Sequence, residues 1–315
     1  MMMFCENCFF FFFGRTDFWQ QRIVRNGNYA HFPHMMQQFT RCFSFWQIFG
    51  RTLYDPYLMM FIQRSGAAEM GFNKGMLDIL KDVFRVSIVY NDTHVDDSTL
   101  LIKPLYDYGM KESMQQGIVF QNKDHAAIFR DQVQQYYHIR PEGCRVNKTE
   151  PVIAILNRRP QSQRTILNVD RLQRYLQKLT NHQVPIVYFE DKTFLEQITF
   201  MSQVDILVSP HGAQLTSLNF IPPCGGVFEI LPPGYYLPHF FGPLAATSGL
   251  RHGFVYTGEN VKEEWYKGNL VDRKKRFRAR DLDVCVPLST SLDIIGKMVD
   301  KWKLCCQDKI MTEFP

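Results

Sequence analysis

The sequence lacks the features that would assign it to several common classes. Its phenylalanine run, Phe9–Phe13, is closed at once by Arg15 and Asp17 and is far shorter than the roughly 18 apolar residues a membrane span needs. No basic segment precedes that run and no small-residue cleavage pattern follows it, so no targeting signal is read there. A G-x-x-x-x-G-K-[ST] phosphate loop is missing, which excludes a P-loop nucleotidase. The G-x-S-x-G turn of α/β-hydrolases and the G-x-G-x-x-G turn of dinucleotide-binding domains are missing too. No internal repeat is found. Charge imbalance is small: 36 Lys and Arg against 31 Asp and Glu leave +5. That suits an anionic ligand such as a phosphate and is too little for a nucleic-acid-binding domain. Glycine and proline, 19 and 16 residues, are ordinary and exclude collagen-like or low-complexity chains.

What is present describes a folded chain. The 315 residues are 45% hydrophobic and 21% charged, enough apolar surface for a core in two domains or one large α/β unit. Eight cysteines are spread along it. Cys5-x-x-Cys8 has half a zinc spacing, but no second pair completes it. Cys305 and Cys306, with Cys285 upstream, read either as a disulfide near the C-terminus or as free thiols. Two sequons, Asn91-Asp92-Thr93 and Asn147-Lys148-Thr149, point to a secretory compartment.

Residues 34–49 show helical spacing of Met35, Phe39, Cys42, Phe43, Trp46 and Phe49. A short strand follows at Val86–Tyr90, and a helix over about 125–138 carries Phe129, Val133 and Tyr137 on one face. The polar stretch 139–150, with Pro141 and Gly143, reads as a domain boundary. Beyond it strands and helices alternate. Strands are expected at Val152–Leu156, Val184–Phe189, Asp205–Val208 and Val227–Leu231. Helices are expected after Asn168, with Leu172, Tyr175, Leu176 and Leu179 on one face, near 193–203, and at about 214–220. Such alternation predicts βαβ units and a parallel sheet. Residues 289–304 form a last helix, with Leu292, Ile295, Val299 and Trp302 on one stripe.

Ligands of open parallel sheets bind outside the carboxyl ends of the strands. The first strand delivers Arg158 and Arg159 there, with Arg164 further along its loop. The second delivers Glu190 and Asp191, the third Ser209-Pro210-His211-Gly212-Ala213, and the fourth Leu231 to Gly234. Gly212 and Ala213 permit close backbone approach, and Gln214, Leu215 and Thr216 open a helix whose free N–H groups favour an anion. Arginines clamp phosphates with paired hydrogen bonds. The combination reads as a diphosphate pocket, with His211 either packing beside it or contacting the ligand. Glu229, inside an apolar strand, needs a partner: either a sugar hydroxyl or a structural ion pair. The basic run Arg273–Arg280 reads as a solvated loop, so no nucleic acid partner is expected. Asp281-Leu282-Asp283 matches a metal-binding D-x-D only by chance, being beyond the βα units.

Three blocks of the C-terminal half resemble glycosyltransferase family 61, the family of EGF-domain-specific O-linked N-acetylglucosaminyltransferase and of plant xylosyl- and arabinosyltransferases. They are Ile155-Leu156-Asn157-Arg158-Arg159 through Arg164-Thr165-Ile166-Leu167-Asn168, then Val208 through Ser217 around His211-Gly212-Ala213, then Phe220-Ile221-Pro222-Pro223 with Val227-Phe228-Glu229-Ile230. Asn28-Tyr29-Ala30-His31-Phe32-Pro33-His34 resembles a fourth block, with Met35 where the family commonly has Asp.

The resemblance implies a GT-B architecture: an α/β fold of two Rossmann-like domains facing across a cleft. The expected layout is an undefined segment over 1–25, an acceptor-side domain over 26–145, a nucleotide-sugar domain over 151–285, and a helix over 286–315 packing back toward the N-terminal domain. It implies an inverting, metal-independent transfer of a sugar of the GlcNAc, xylose or arabinose class from a UDP-sugar to a protein or glycan hydroxyl. No cofactor is expected beyond that donor substrate. His31 is the expected acid/base, and Arg158, Arg159, Arg164, His211, Gly212, Ala213, Gln214, Leu215, Thr216 and Glu229 the expected donor site. A nucleotide- or glycan-binding relative without turnover is the alternative, prompted by Met35. The family's membrane anchor is absent from this sequence, which is expected of a soluble form or a fragment. Residence in the Golgi or endoplasmic reticulum lumen is expected, with Asn91 and Asn147 glycosylated.

Overall fold

The computed structural model describes residues 71–84, 117–160, 162–258 and 278–313, with short stretches before residue 105. His31, Met35 and Asn91 lie outside the described residues. Contacts divide the chain into two units: Met1–Gly109 with Ile118–His138 and Thr193–Leu195, and Met110–Gly117 with Ile139–Lys192 and Glu196–Pro315.

In the first unit, β1 (Phe4–Cys5) and β2 (Cys8–Phe11) pair antiparallel, with Cys5 opposite Cys8. Strands β3 (Met59–Ile62) and β4 (Ser87–Tyr90) pair parallel, and α1 (Gly71–Asp82) connects them as one βαβ unit. Strand β5 (Leu101–Pro104) pairs antiparallel with β2. Helix α1 buries Met76, Leu77, Ile79 and Leu80, the i, i+3, i+4 stripe of a half-buried helix. Helix α2 (Lys123–Tyr136) starts at Asn122, whose side chain accepts the His125 N–H at 2.9 Å, satisfying one orphan donor. It buries Phe129 and Val133, but Tyr137 falls beyond its end and is half-buried. Phe39, Phe43, Phe84, Phe120 and Phe129 form an aromatic core, with ring centroids from 5.1 to 6.1 Å apart. Phe39 and Phe43 are helical, as their spacing predicts.

The second unit is an α/β layer structure on a five-stranded sheet. Its elements are β6 (Ile153–Asn157), α3 (Val169–Thr180), β7 (Ile186–Tyr188), α4 (Phe194–Ser202), β8 (Ile206–Pro210), a 3₁₀ segment (Ala213–Phe220), β9 (Gly226–Leu231), α5 (Pro238–Thr247), β10 (Arg251–Tyr256) and α6 (Leu288–Glu313). The first turn of α4 groups with the first unit. Strand order is β10-β9-β8-β6-β7, and every pairing is parallel. Strands β6, β8 and β9 are buried along their whole length, which explains their continuous apolar sequences: central parallel strands are covered on both faces. Ile153, Ile155, Ile206, Val208, Phe228 and Ile230 pack with Leu172 and Leu176 of α3 and Ile295, Met298 and Val299 of α6. The alternating Ala154, Leu156, Leu207 and Val227 are buried too.

Several expectations are corrected. Tyr175 and Leu179 are exposed, and Thr180 joins Leu172 and Leu176 on the buried face of α3. Asn168 occupies the N-cap position of α3 but makes no capping bond. Its amide instead bonds the Val286 carbonyl and N–H, both at 2.9 Å. The helix expected at 214–220 is 3₁₀, because Thr216 Oγ1 and Ser217 Oγ bond the carbonyls three residues back at 2.6 and 3.1 Å, reinforcing i−3 rather than i−4 bonding. Helix α6 lays its apolar stripe on the sheet of its own unit. Two disulfides hold it there, Cys144–Cys306 and Cys224–Cys305, while Cys285 is exposed and free. The adjacent cysteines thus pair with two distant partners, and Cys285 takes no part. Trp302 is buried among these sulfurs, and the Lys148 ammonium lies 5.6 Å from its ring centre. Lys148 also pairs with fully buried Asp205 at 2.6 Å. No helix among the described residues is long and apolar enough to cross a membrane.

Candidate functional site

The strand order reverses direction between β6 and β8: the chain leaves β6 toward one edge and β8 toward the other. Such a switch point opens a crevice at the carboxyl ends of the two strands. The residues found there are Asn157 and Arg158 after β6, and His211 and Gly212 after β8.

Asn157 shapes the first loop. Its buried amide accepts the Ile166 N–H at 2.8 Å and donates to the Ile166 carbonyl at 3.4 Å, bringing Ile166 back beside the end of β6. Gln163 and Arg164 both adopt left-handed backbone, φ 63° and 62°, a cost of order 1 kcal/mol each for non-glycine residues. The turn is held by Thr165, whose hydroxyl bonds the Arg159 carbonyl at 3.0 Å and whose N–H bonds Asp283 at 2.9 Å. It aims two guanidinium groups at β8. Arg164 Nη1 donates to the His211 carbonyl at 3.0 Å. Arg158 Nη1 donates to the Ser162 and Gln163 carbonyls at 3.1 and 3.4 Å, and its guanidinium borders Gly212, where a Cβ would lie 2.9 Å from Nη2. The Nε of each arginine is buried without a hydrogen-bond partner.

Arg164 is 93% buried by area (7% exposed). Burial first, then the charges of Arg158 and Arg280, push its guanidinium down to about 10, against the pull of Tyr235 and Asp281. Burial likewise pushes Arg158 down, opposed by Glu190 and aided by Arg280. Guanidinium groups stay charged at neutral pH, so these depressions register positive charge that the surroundings do not fully compensate.

Behind this pair lies a buried acid. Glu229 of β9 is fully buried and its two oxygens meet two histidines: His211 Nδ1 on Oε1, and His252 Nε2 of β10 on Oε2 at 2.8 Å. Burial raises the Glu229 carboxyl, but the contacts with His211 and His252 outweigh it and leave it below the usual range. Burial, opposed by Glu229, lowers His211. The carboxylate is thus held between the two imidazole rings, Nδ1 of His211 on one oxygen and Nε2 of His252 on the other. Tyr235 and Phe241 stand against the His211 ring, centroids 5.0 and 5.3 Å away.

The expected site residues therefore separate. Arg158, Arg164, His211, Gly212, Ala213 and Gln214 gather at the switch point; Ala213 is exposed, and Gln214 Nε2 bonds Ser209 Oγ at 2.8 Å. Arg159 does not join them: its side chain is exposed and paired with Asp191, and its N–H bonds Glu190 at 3.0 Å. Leu215 is fully buried core, and the Thr216 hydroxyl is spent on the Ala213 carbonyl. Both oxygens of Glu229 are engaged by histidines, the ion-pair reading of that residue. Asn147 is exposed in a turn. Asp283 of the D-x-D takes a backbone N–H. Among the described residues the one cluster of metal-ligand type, Cys144, Cys224 and Cys306, has its sulfurs in disulfides. No motif or spacing points to His252 or Tyr235. The nearness of Arg280 was hidden by the run of basic residues before it.

Residues 29–228 match the family model Glycosyltransferase 61. Among curated proteins the chain is 29% identical, over 45% of its length and 25% of the other's, to protein O-linked-mannose beta-1,4-N-acetylglucosaminyltransferase 2 of Tetraodon nigroviridis. The human protein of that name is 29% identical over 51% of this chain and 30% of its own. The EGF domain-specific O-linked N-acetylglucosamine transferase of Xenopus laevis is 39% identical over 21% of this chain and 13% of its own. The chain thus spans less than a third of the length of these relatives.

Proposed function

The chain belongs to glycosyltransferase family 61, and from that premise we propose that it transfers a sugar from a nucleoside-diphosphate donor, a UDP-sugar, to a hydroxyl of a protein or glycan. The observation that carries the reading is the pair of buried guanidinium groups, Arg158 and Arg164, each with an unpartnered Nε, against Gly212 at the switch point. Buried cations need anions, and the diphosphate of a sugar nucleotide is one that transfer chemistry releases. In the inverting reaction the acceptor hydroxyl loses its proton to a base and its oxygen attacks the anomeric carbon from the face opposite the donor oxygen. The carbon–oxygen bond to the diphosphate breaks, and the electron pair leaves on the phosphate. Arg158 and Arg164 stabilise that growing charge from a preorganised, poorly hydrated position, with no metal required. Glu229 and His252 hold the His211 ring, and His31 is the proposed acid/base.

The relatives are named for transfer of N-acetylglucosamine to protein-linked mannose and to EGF domains, which favours GlcNAc over xylose or arabinose and a glycoprotein acceptor. Two disulfides and the exposed sequon at Asn147 support residence in the Golgi or endoplasmic reticulum lumen. Hydrolysis and transfer assays over a panel of sugar nucleotides test the reading. Turnover with a UDP-sugar, lost in Arg164→Ala, is expected. Saturable UDP binding without any turnover would make the chain a binding relative, and absence of both would overturn the site.

A further inference from the structure

We propose that Arg280, the last cation of the basic run, is the third guanidinium of the Arg158–Arg164 site, and that this third charge selects a diphosphate over a single phosphate. The inference rests on the anion site proposed above and extends it to a segment more than a hundred residues away in sequence.

Backbone geometry fixes the segment in place. Residues Arg278 to Leu282 form a tight turn, with the Asp281 N–H on the Arg278 carbonyl at 3.1 Å and Ala279 buried. Directly after it, Asp283 Oδ1 accepts the Thr165 N–H at 2.9 Å. The Val284 N–H bonds the Thr165 carbonyl, and the Leu167 N–H bonds the Val284 carbonyl, both at 2.9 Å. Val284 and Ile166 thereby form a parallel bridge. The turn carrying Arg280 is thus sewn to the residue following Arg164, the loop that aims Arg158 and Arg164 at β8. Arg280 itself is half-buried.

The electrostatics agree with that placement. The Arg280 charge acts on both Arg158 and Arg164, and on Arg164 its push outranks the pull of neighbouring Asp281. On Arg158 the pull of Glu190 is the larger, but Glu190 is also engaged by the Arg159 N–H. Three guanidinium groups therefore act on one another at this loop. A phosphate monoester presents one charged phosphoryl group to three guanidinium forks, whereas a diphosphate presents two, with more charge spread over a longer span. On this reading Asp283 is a positioning residue that docks the turn, which gives the D-x-D sequence a role without a metal.

Equilibrium titrations of UDP and of UMP into the folded protein test this. The wild type is expected to bind UDP at least about tenfold more tightly than UMP. Arg280→Ala should weaken UDP by about tenfold or more and change UMP by no more than about threefold, collapsing the ratio. Arg280→Lys should fall between, and Arg278→Ala, at an exposed position of the same turn, should match the wild type. Thermal unfolding without ligand verifies that each variant is folded, and Arg280→Lys keeps the test alive if the alanine variant is not. Unchanged UDP affinity in Arg280→Ala while Arg164→Ala loses it would overturn the role of Arg280 and leave the site standing. Equal losses of UDP and UMP in Arg280→Ala would overturn the diphosphate selection. Unchanged affinity in Arg164→Ala as well, or no UDP binding by the wild type, would overturn the underlying site and this inference with it.

Discussion

Gly212→Ala is a small perturbation aimed at one contact. The added Cβ would lie 2.9 Å from Arg158 Nη2 and 3.4 Å from Cζ. Gly212 has extended backbone, φ 169°, which any residue adopts, so the change introduces no backbone strain. The obstructed atom is the far end of a flexible side chain, so the guanidinium moves and the strand does not. Its bonds to the Ser162 and Gln163 carbonyls, at 3.1 and 3.4 Å, stretch, costing about 0.5–1.5 kcal/mol of stability. A displaced guanidinium no longer meets the ligand, and a hydrogen bond between charged groups contributes about 1.5–3 kcal/mol. UDP affinity should therefore fall roughly ten- to hundredfold in a protein that still folds. Calorimetric titration of UDP, beside thermal unfolding of the free protein, measures the two effects separately. UDP binding within about twofold of the wild type, from a folded variant, would refute the placement of the phosphates against Gly212.

Other outcomes follow from the buried charges and the disulfides. Burial depresses the basicity of His211 in the folded protein, so the unfolded chain binds more protons below its ordinary pKa of about 6.5. Stability should then fall with falling pH by up to about 1.4 kcal/mol per unit below that point, and denaturant unfolding at pH 5 to 7 should show a flatter acid limb in His211→Asn; equal slopes would count against the assignment. Lys148→Met strands the buried Asp205 carboxylate and should cost about 3–5 kcal/mol, which Lys148→Met combined with Asp205→Asn should partly restore. Cys306→Ser opens the Cys144 crosslink, which spans 162 residues, and should cost about 2–5 kcal/mol in denaturant unfolding; no change would show that the bridge does not hold α6 in solution.

The parallel sheet was legible because its central strands must be apolar on both faces, and their order placed Arg158, Arg164 and Gly212 on one edge before any contact was known. The edge strand β10 was missed. Its sequence, Arg251-His252-Gly253-Phe254-Val255-Tyr256, is only partly buried and carries no continuous apolar run. Cysteine pairing was illegible for another reason: Cys305 and Cys306 leave the same turn of α6 toward Cys224 and Cys144, partners that sequence spacing does not single out. Arg159 shows the limit of reasoning by strand ends. It is adjacent to Arg158 on an extended segment, so its side chain points the other way and ends on Asp191.

Glu229 shows how physical reasoning can identify a need without identifying what meets it. A carboxylate inside an apolar strand has to be paired, and sequence alone left a sugar hydroxyl and an ion pair as equals. The sheet decides between them. Glu229 is opposite Ser209 on β8 and opposite Phe254 on β10, so its side chain emerges between these two strands. His211, two residues past Ser209, and His252, two residues before Phe254, point to the same face by strand alternation. Both rings reach the carboxylate from the flanking strands. The buried carboxylate thus has its partners within the sheet, one histidine on each oxygen. Glu229 therefore braces the His211 ring at the end of β8, beside the arginines proposed to meet the donor.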